Sequence, residues 1–151
     1  MYKIENQNLF VFLVHPGGPF FAKKDNGFWS IPKGLHEEKD SDKRHTAVRE
    51  FMEETGIEPH GELIELGNVE QKNNKTVYAW AFKKEIPDDF KIKSNAFMME
   101  WPPKSGKFQE FPEADKGQYF KSIDAIEKLN EAQGQFVKRL EEILKSTHEL
   151  P

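Results

Sequence analysis

The sequence predicts a single domain of mixed α/β (α+β) class, because strand-like and helix-like patterns alternate along 151 residues. Two runs carry the strand half of that reading. Leu9 to His15 (LFVFLVH) is short and unbroken in apolar character, and Val77 to Phe82 (VYAWAF) is dense in strand formers. The helical half rests on the stretch ending at Thr55, which has an N-cap candidate at Asp42 and a stop at Gly56.

Taken in order, the elements follow from local chemistry. Leu9 to His15 reads as a buried strand closed by Pro16-Gly17-Gly18-Pro19, with Phe20 to Lys24 expected to return as its partner. Asp25-Asn26-Gly27 marks a second turn, and Phe28 to Ile31 a short strand ended by Pro32. The helix after Asp42 ends with Gly56 and Ile57 in a Schellman-type stop. Gly61 to Gln71 and Lys75 to Lys84 form a hairpin around Lys72-Asn73-Asn74, beside the helix. Phe97 to Trp101 is a further strand, and Pro102 to Gly117 reads as a long loop, the kind of segment that often carries function. Ser122 is expected to cap a short helix to Leu129, and Glu131 to Lys145 to form a last helix with Phe136, Val137, Leu140, Ile143 and Leu144 as its apolar stripe. No internal repeat or linker divides residues 1–151.

Composition narrows the function classes. A chain of this length buries about two-thirds of its extended surface, and 13 Phe with 3 Trp predict an aromatic-rich core. The net charge of -4 gives no broad attraction for nucleic acid or an anionic membrane, so a long nucleic acid is disfavoured as a partner. With no cysteine, disulfides and thiolate metal sites are excluded, and the expected compartment is the cytoplasm. The first residues lack a signal-peptide pattern and no apolar run is long enough to span a bilayer. A homodimer is compatible with the sequence.

One helix carries the chemistry. At about 100° per residue, Glu50, Glu53 and Glu54 share one face, while Ala47, Val48, Phe51, Met52 and Thr55 form the packing stripe on the other. Like charges at i,i+4 repel, and acids favour the first turn of a helix rather than the last. Propensity therefore does not explain the cluster, and a bound cation would. Taken alone, a pair such as Glu53-Glu54 is usually a solvated face, so the rest of the pattern has to decide. A calcium loop at Asp40 and Asp42 is rejected because Arg44 and His45 occupy the next ligand and glycine positions, and the 5 His residues lack metal spacing.

From Gly34 the chain reads G-x5-D-x8-R-E-F-x-E-E-x-G-I. The second half, Arg49 to Ile57, matches every fixed position in the signature of the Nudix hydrolases, which the sequence therefore resembles. The first half departs: Asp40 stands where the family has a glutamate, and eight residues instead of seven precede Arg49. The departure touches the acid that pairs with the arginine, a role open to Asp40 or Glu38, more than the metal ligands. Trp29-Ser30-Ile31-Pro32-Lys33-Gly34 is similar to the approach to the signature in several branches, dinucleoside polyphosphate hydrolases among them, and Ser94 to Glu113 resembles a subgroup described as nucleoside triphosphate pyrophosphohydrolases.

The resemblance implies a Nudix fold, a mixed β-sheet sandwiched between helices, and hydrolysis of a nucleoside diphosphate linked to another moiety with Mg²⁺ or Mn²⁺ as cofactor. It implies Glu50, Glu53 and Glu54 as metal ligands, with the Gly34 carbonyl and Glu113 added, Glu110 being the alternative to Glu113. Glu53, Glu54 and Arg49 form the implied catalytic set, with Glu53 as the base. Lys33, Trp101 and Lys104 are candidates for substrate binding, Lys107 and Trp29 being alternatives, although tryptophans more often pack in cores and lysines more often lie on solvated surface. The expected substrate is a small nucleotide, foremost a nucleoside triphosphate; the other readings are a dinucleoside polyphosphate, an RNA 5′ end, and a nucleotide sensor without activity.

Overall fold

The computed structural model of the protein describes residues 1–151, with seven strands and three helices. β1 (Tyr2–Glu5) and β2 (Asn8–Pro16) form a hairpin whose turn residues Asn6 and Gln7 have φ of 50° and 62°. Both central positions are left-handed, the condition for a type I′ turn that matches strand twist. On its other side β2 pairs antiparallel with β7 (Ala114–Lys121), so it is the middle strand of three.

That placement explains the unbroken apolar run, because β2 is covered on both faces. Leu9, Val11 and Leu13 face one hydrophobic cluster with residues of α2 (Ser122–Lys128) and α3 (Gly134–Ser146). Phe12 and Val14 face a second with Phe51 of α1 (Lys43–Thr55) and Phe82. Helices therefore lie on both sides of the sheet, as the sandwich requires. β3 (Ile64–Glu70) and β4 (Thr76–Ala81) form the expected hairpin, and the chain just past β4 runs parallel to β1 through Tyr2 N–H to Phe82 O and Lys84 N–H to Tyr2 O, both 3.0 Å. Antiparallel and parallel contacts together make the sheet mixed.

Several expected elements differ. Phe20 to Lys24 is not a strand: β1 and β7 occupy both edges of β2, and local bonds such as Lys24 N–H to Phe21 O (2.8 Å) fold the segment into turns. Phe28 to Ile31 makes only single bridges, Val14 to Ser30 and Trp29 to Leu129. Pro102 to Gly117 is not a loop. It contains β6 (Phe108–Pro112), which pairs with β5 (Ala96–Glu100) as a hairpin, and the first half of β7, whose partner β2 is distant in sequence; both are polar locally and become strands through those partners. Gly117 sits inside β7 because a Cβ there would lie 2.4 Å from the Phe12 ring. Ser122 is the first residue of α2 and not its cap, and α3 starts at Gly134, after a turn held by Gln133 N–H to Asn130 O at 3.0 Å. The core is less aromatic than its composition suggests, since Phe20, Phe21, Phe28 and Phe108 are exposed and Leu and Val dominate the larger cluster.

α1 begins where expected, with Asp42 accepting from His45 N–H. Met52, assigned to the packing stripe, is 42% exposed; it stands about 100° round the helix from the buried Phe51, and Thr46 is buried instead against Asp40, to which its hydroxyl donates. The stop is the simpler left-handed motif rather than a Schellman pair: Gly56 (φ 72°) donates to Met52 O at 2.8 Å, while Ile57 N–H goes to the Thr55 side chain at 3.1 Å. Thr55 is fully buried, and its hydroxyl donates in turn to Phe51 O.

Replacing Thr55 by valine keeps the shape and strands the Ile57 N–H. Thr55→Val should lower stability by about 1–3 kcal/mol in urea unfolding at constant m-value; an unchanged midpoint would show that Ile57 has another acceptor.

Candidate active site

The site is built around Arg49. Its Nε and Nη2 donate to Asp40 Oδ1 and Oδ2, each at 2.9 Å, and Nη2 also reaches Leu35 O at 2.9 Å. Of the two acids left open by the sequence, Asp40 takes the arginine, and Glu38 is exposed. The Asp40 carboxylate is fully buried and accepts further bonds from Glu37 N–H (2.9 Å), Thr46 Oγ1 (3.0 Å) and His45 Nδ1 (3.1 Å). The Arg49 guanidinium, helped by the Glu37 and Thr46 donors, holds Asp40 far below the ordinary carboxylate range. The extra residue before Arg49 is thus absorbed in a loop that wraps the shorter aspartate.

The other face of Arg49 steers the acidic helix. Nη1 donates to Glu50 Oε1 at 2.9 Å and to Glu53 Oε2 at 3.1 Å. Glu50 lies against Gly34, where an added Cβ would be 1.8 Å from the Glu50 carboxyl carbon, so a side chain at 34 would displace it. Glu54 accepts the Lys33 N–H at 3.1 Å. Burial is the main cause that pushes the Glu54 pKa up to about 7; the Lys33 N–H bond and charge oppose it, and Glu50 and Glu113 push it higher. Glu50 is raised as well, first by burial.

Glu113 comes to this cluster through a backbone staple invisible in the sequence. Asn95 N–H donates to Glu53 O at 3.0 Å, and Asn95 O accepts the Glu113 N–H at 2.8 Å. Ser94 Oγ adds bonds to Ala114 O (2.9 Å) and from Ala114 N–H (3.2 Å). The end of the acidic helix and the start of β7 are therefore fixed to each other. No three acidic or histidine side chains are gathered closely enough to cage an ion, because Glu50 and Glu53 turn toward Arg49. The donors nevertheless fit a hard divalent cation: all are oxygens, and Glu54 is buried beside two other carboxylates without a side-chain cation bonded to it.

Lys33, Glu54 and Glu113 line a cavity of about 420 Å³, within the range of small-ligand sites, which runs to roughly 300–1,000 Å³. Phe21, Phe28, Gln71, Asn130 and Gln133 complete much of its wall, none of them singled out in the sequence. Trp29 also borders it, but is buried, with Nε1–H on Asp25 at 2.8 Å and its ring edge-on to Phe120. Trp101 and Lys104 do not line the cavity. Trp101 packs edge-on against Phe20 at the end of β5, and Lys104 (φ 61°) forms the exposed β5–β6 turn with Lys107 close by. Glu53 and Glu110 also lie outside the cavity wall.

The Asp40–Arg49 bridge should show in stability. Asp40→Ala and Arg49→Ala should each lower Tm by about 10 °C, and the double variant by much less than the sum, since either change leaves a charge without its partner. Strict additivity would mean that the pair does not hold the loop. Because the folded-state pKa of Asp40 is depressed, its contribution is complete above the ordinary value of 3.8 and fades only as pH falls below it.

The NUDIX domain family model matches residues 2–140. No curated protein matches the sequence significantly. Among solved structures, the Ap4A hydrolase of C. elegans, in a binary complex, shares 19% identity at a TM-score of 0.64, over 96% of this chain and 93% of that one. The NUDIX domain of Shewanella oneidensis NrtR complexed with ADP ribose shares 16% identity at a TM-score of 0.60, over 95% and 82%. These likenesses show the fold. With the family model covering all but the first residue and the last 11 of the chain's 151, and with the arginine-centred acidic helix in place, the chain belongs to the Nudix family.

Proposed function

We propose that the protein hydrolyses a nucleoside triphosphate or closely related small nucleotide, with Mg²⁺ or Mn²⁺ held by Glu50, Glu54 and Glu113. The observation that carries this reading is the single cavity in which Lys33, Glu54 and Glu113 share a wall with Phe21 and Phe28. A bound divalent cation would neutralise charge on the diphosphate and activate water. Lys33 orients Glu54 through its backbone N–H and offers a cation to phosphate. Arg49 positions Glu50 and Glu53 and does not itself face the cavity. Glu53, on the same turn and partly exposed to water, is the proposed base for the attacking water, a role that requires its carboxylate to turn from Arg49 toward the cavity. The lack of cysteine suits the cytoplasm.

A second reading, cleavage of a dinucleoside polyphosphate, is favoured by the Trp29 to Gly34 segment and by the structural likeness to an Ap4A hydrolase. A long RNA is disfavoured by the net charge of -4. Nucleoside triphosphates, dinucleoside tetraphosphates and a triphosphorylated RNA oligomer, assayed at equal Mg²⁺ by phosphate release and product mass, separate the three. Free nucleotides should exceed RNA by at least about tenfold in kcat/KM, a difference of about 1.4 kcal/mol; processing of RNA alone would overturn the proposal.

The roles of the acids can be told apart by where their loss appears. Glu50→Gln and Glu54→Gln should each lower activity by about a hundredfold or more, some 2.7 kcal/mol, and raise the Mg²⁺ concentration for half-activation. Glu53→Gln should lower kcat while leaving that concentration unchanged. Near-normal turnover of the first two at saturating Mg²⁺ would remove them as ligands.

A further inference from the structure

The cavity wall contributed by Gln71 and Asn130 is a surface of hydrogen-bond donors, and the backbone dictates that polarity. Gln133, 1% exposed, takes the Ile31 N–H on Oε1 at 3.0 Å and the Ser30 hydroxyl at 3.2 Å. A backbone N–H only donates, so the atom facing it is the amide oxygen and the side chain is not free to flip. Gln133 Nε2 is therefore turned to Gln71 and donates to its Oε1 at 3.1 Å. The same logic acts at Asn130, whose Oδ1 accepts the Ala132 N–H at 3.2 Å. Of the three carboxamides that border the cavity, Gln71 and Asn130 thus have their oxygens engaged by the protein, and neither of their NH₂ groups has a partner within the chain. Beside them stand Phe21 and Phe28, ring centroids 6.4 Å apart and tilted by 54°, each partly open to solvent.

Aromatic faces stack on any base, whereas the donors select among bases. Guanine and hypoxanthine offer an O6 and N7 acceptor edge; adenine pairs an N7 acceptor with an N6 amino donor. An amide NH₂ set against an amino group leaves both unpaired in a partly desolvated cavity, and sites built from hydrogen bonds reject such mismatches strongly.

We propose that this wall binds the base of the substrate and selects 6-oxopurines over 6-aminopurines, Gln71 and Asn130 donating to the acceptor edge while Phe21 and Phe28 stack on the ring. Gln133 is the positioning residue that sets the polarity of Gln71. The inference rests on the nucleotide-hydrolase reading for its substrate, and deepens it.

ITP and ATP differ in their purine 6-substituent and the linked N1 protonation, so they test the proposal directly. The wild-type protein should favour ITP in kcat/KM by at least about tenfold, and calorimetric binding should favour IMP over AMP in the same sense, without an anhydride to cleave. Gln71→Glu keeps the acceptor for Gln133 but removes the donors, and Asn130→Asp does the same on the neighbouring loop; each should reduce the ITP/ATP ratio, and the pair should bring it within about twofold of unity or reverse it, at unchanged Tm. Equal or reversed preference in the wild-type protein, or a ratio that neither substitution moves, would overturn the inference. Equal binding of IMP and AMP with both triphosphates hydrolysed would overturn the base selection and leave the hydrolase reading standing. Selective binding of IMP without turnover of either triphosphate would sustain the selection and overturn the hydrolase reading.

Discussion

The buried pair of Asp40 and Arg49 is the constraint on which the rest of the site depends. An isolated carboxylate in that position would be costly, and the pair itself adds little net stability once desolvation is counted. Its value is geometric. Two parallel bonds of 2.9 Å fix the guanidinium plane, the third donor nitrogen is then aimed at Glu50 and Glu53, and Leu35 O ties in the glycine loop. A lysine could not hold both sides at once, because it lacks the rigid fork. Aspartate in place of glutamate shortens the reach by one methylene, and the loop meets that shortening with Glu37 N–H and Thr46 folded onto the same carboxylate.

Close approach is the second theme, and it explains two glycines by what they touch. Gly34 leaves room for the Glu50 carboxylate, and Gly117 leaves room for the Phe12 ring under β7. The two contacts join core and site, since Phe12 lies on the middle strand β2 and β7 begins with the residue after Glu113. Asn95 completes the link by bonding to Glu53 O on one side and Glu113 N–H on the other. The acids of α1 and the acid before β7 are thereby held by main chain, which is stiffer than any side-chain contact between them.

What was legible in the sequence was what local chemistry determines. Asp42 and Gly56 bound α1 by capping and left-handed geometry, both short-range, and the acidic face followed from helical periodicity alone. β6 and the start of β7 were hidden because their partners lie in β5 and β2, and residues such as Gln109 or Lys116 look like loop until a partner strand is supplied. Phe20 to Lys24 differs in the opposite sense: its composition suits a strand, but neither edge of β2 is free to pair with it. In the site, Arg49 and its acids were readable as a spacing, whereas Phe21, Gln71 and Gln133 come from three separate segments and share no pattern. Trp101 and Lys104 have the chemistry of a nucleotide contact, but the β5–β6 hairpin carries them away from the cavity wall.

The electrostatics of the cavity argue for a third component between protein and substrate. A polyphosphate is anionic, and Glu54 with its neighbours Glu50 and Glu113 is acidic, with Lys33 the cation beside it. Burial raises Glu54 from 4.5 to about 7, so the folded protein holds a proton there that the unfolded chain would release. Between those two values the folded state therefore loses stability relative to the unfolded chain as pH rises, unless opposite charge offsets the ionised carboxylate. A divalent cation bound there would supply that charge and displace the proton. The destabilisation that burial imposes on the ionised acidic cluster and the affinity it would give a cation are therefore the same free energy seen from two sides.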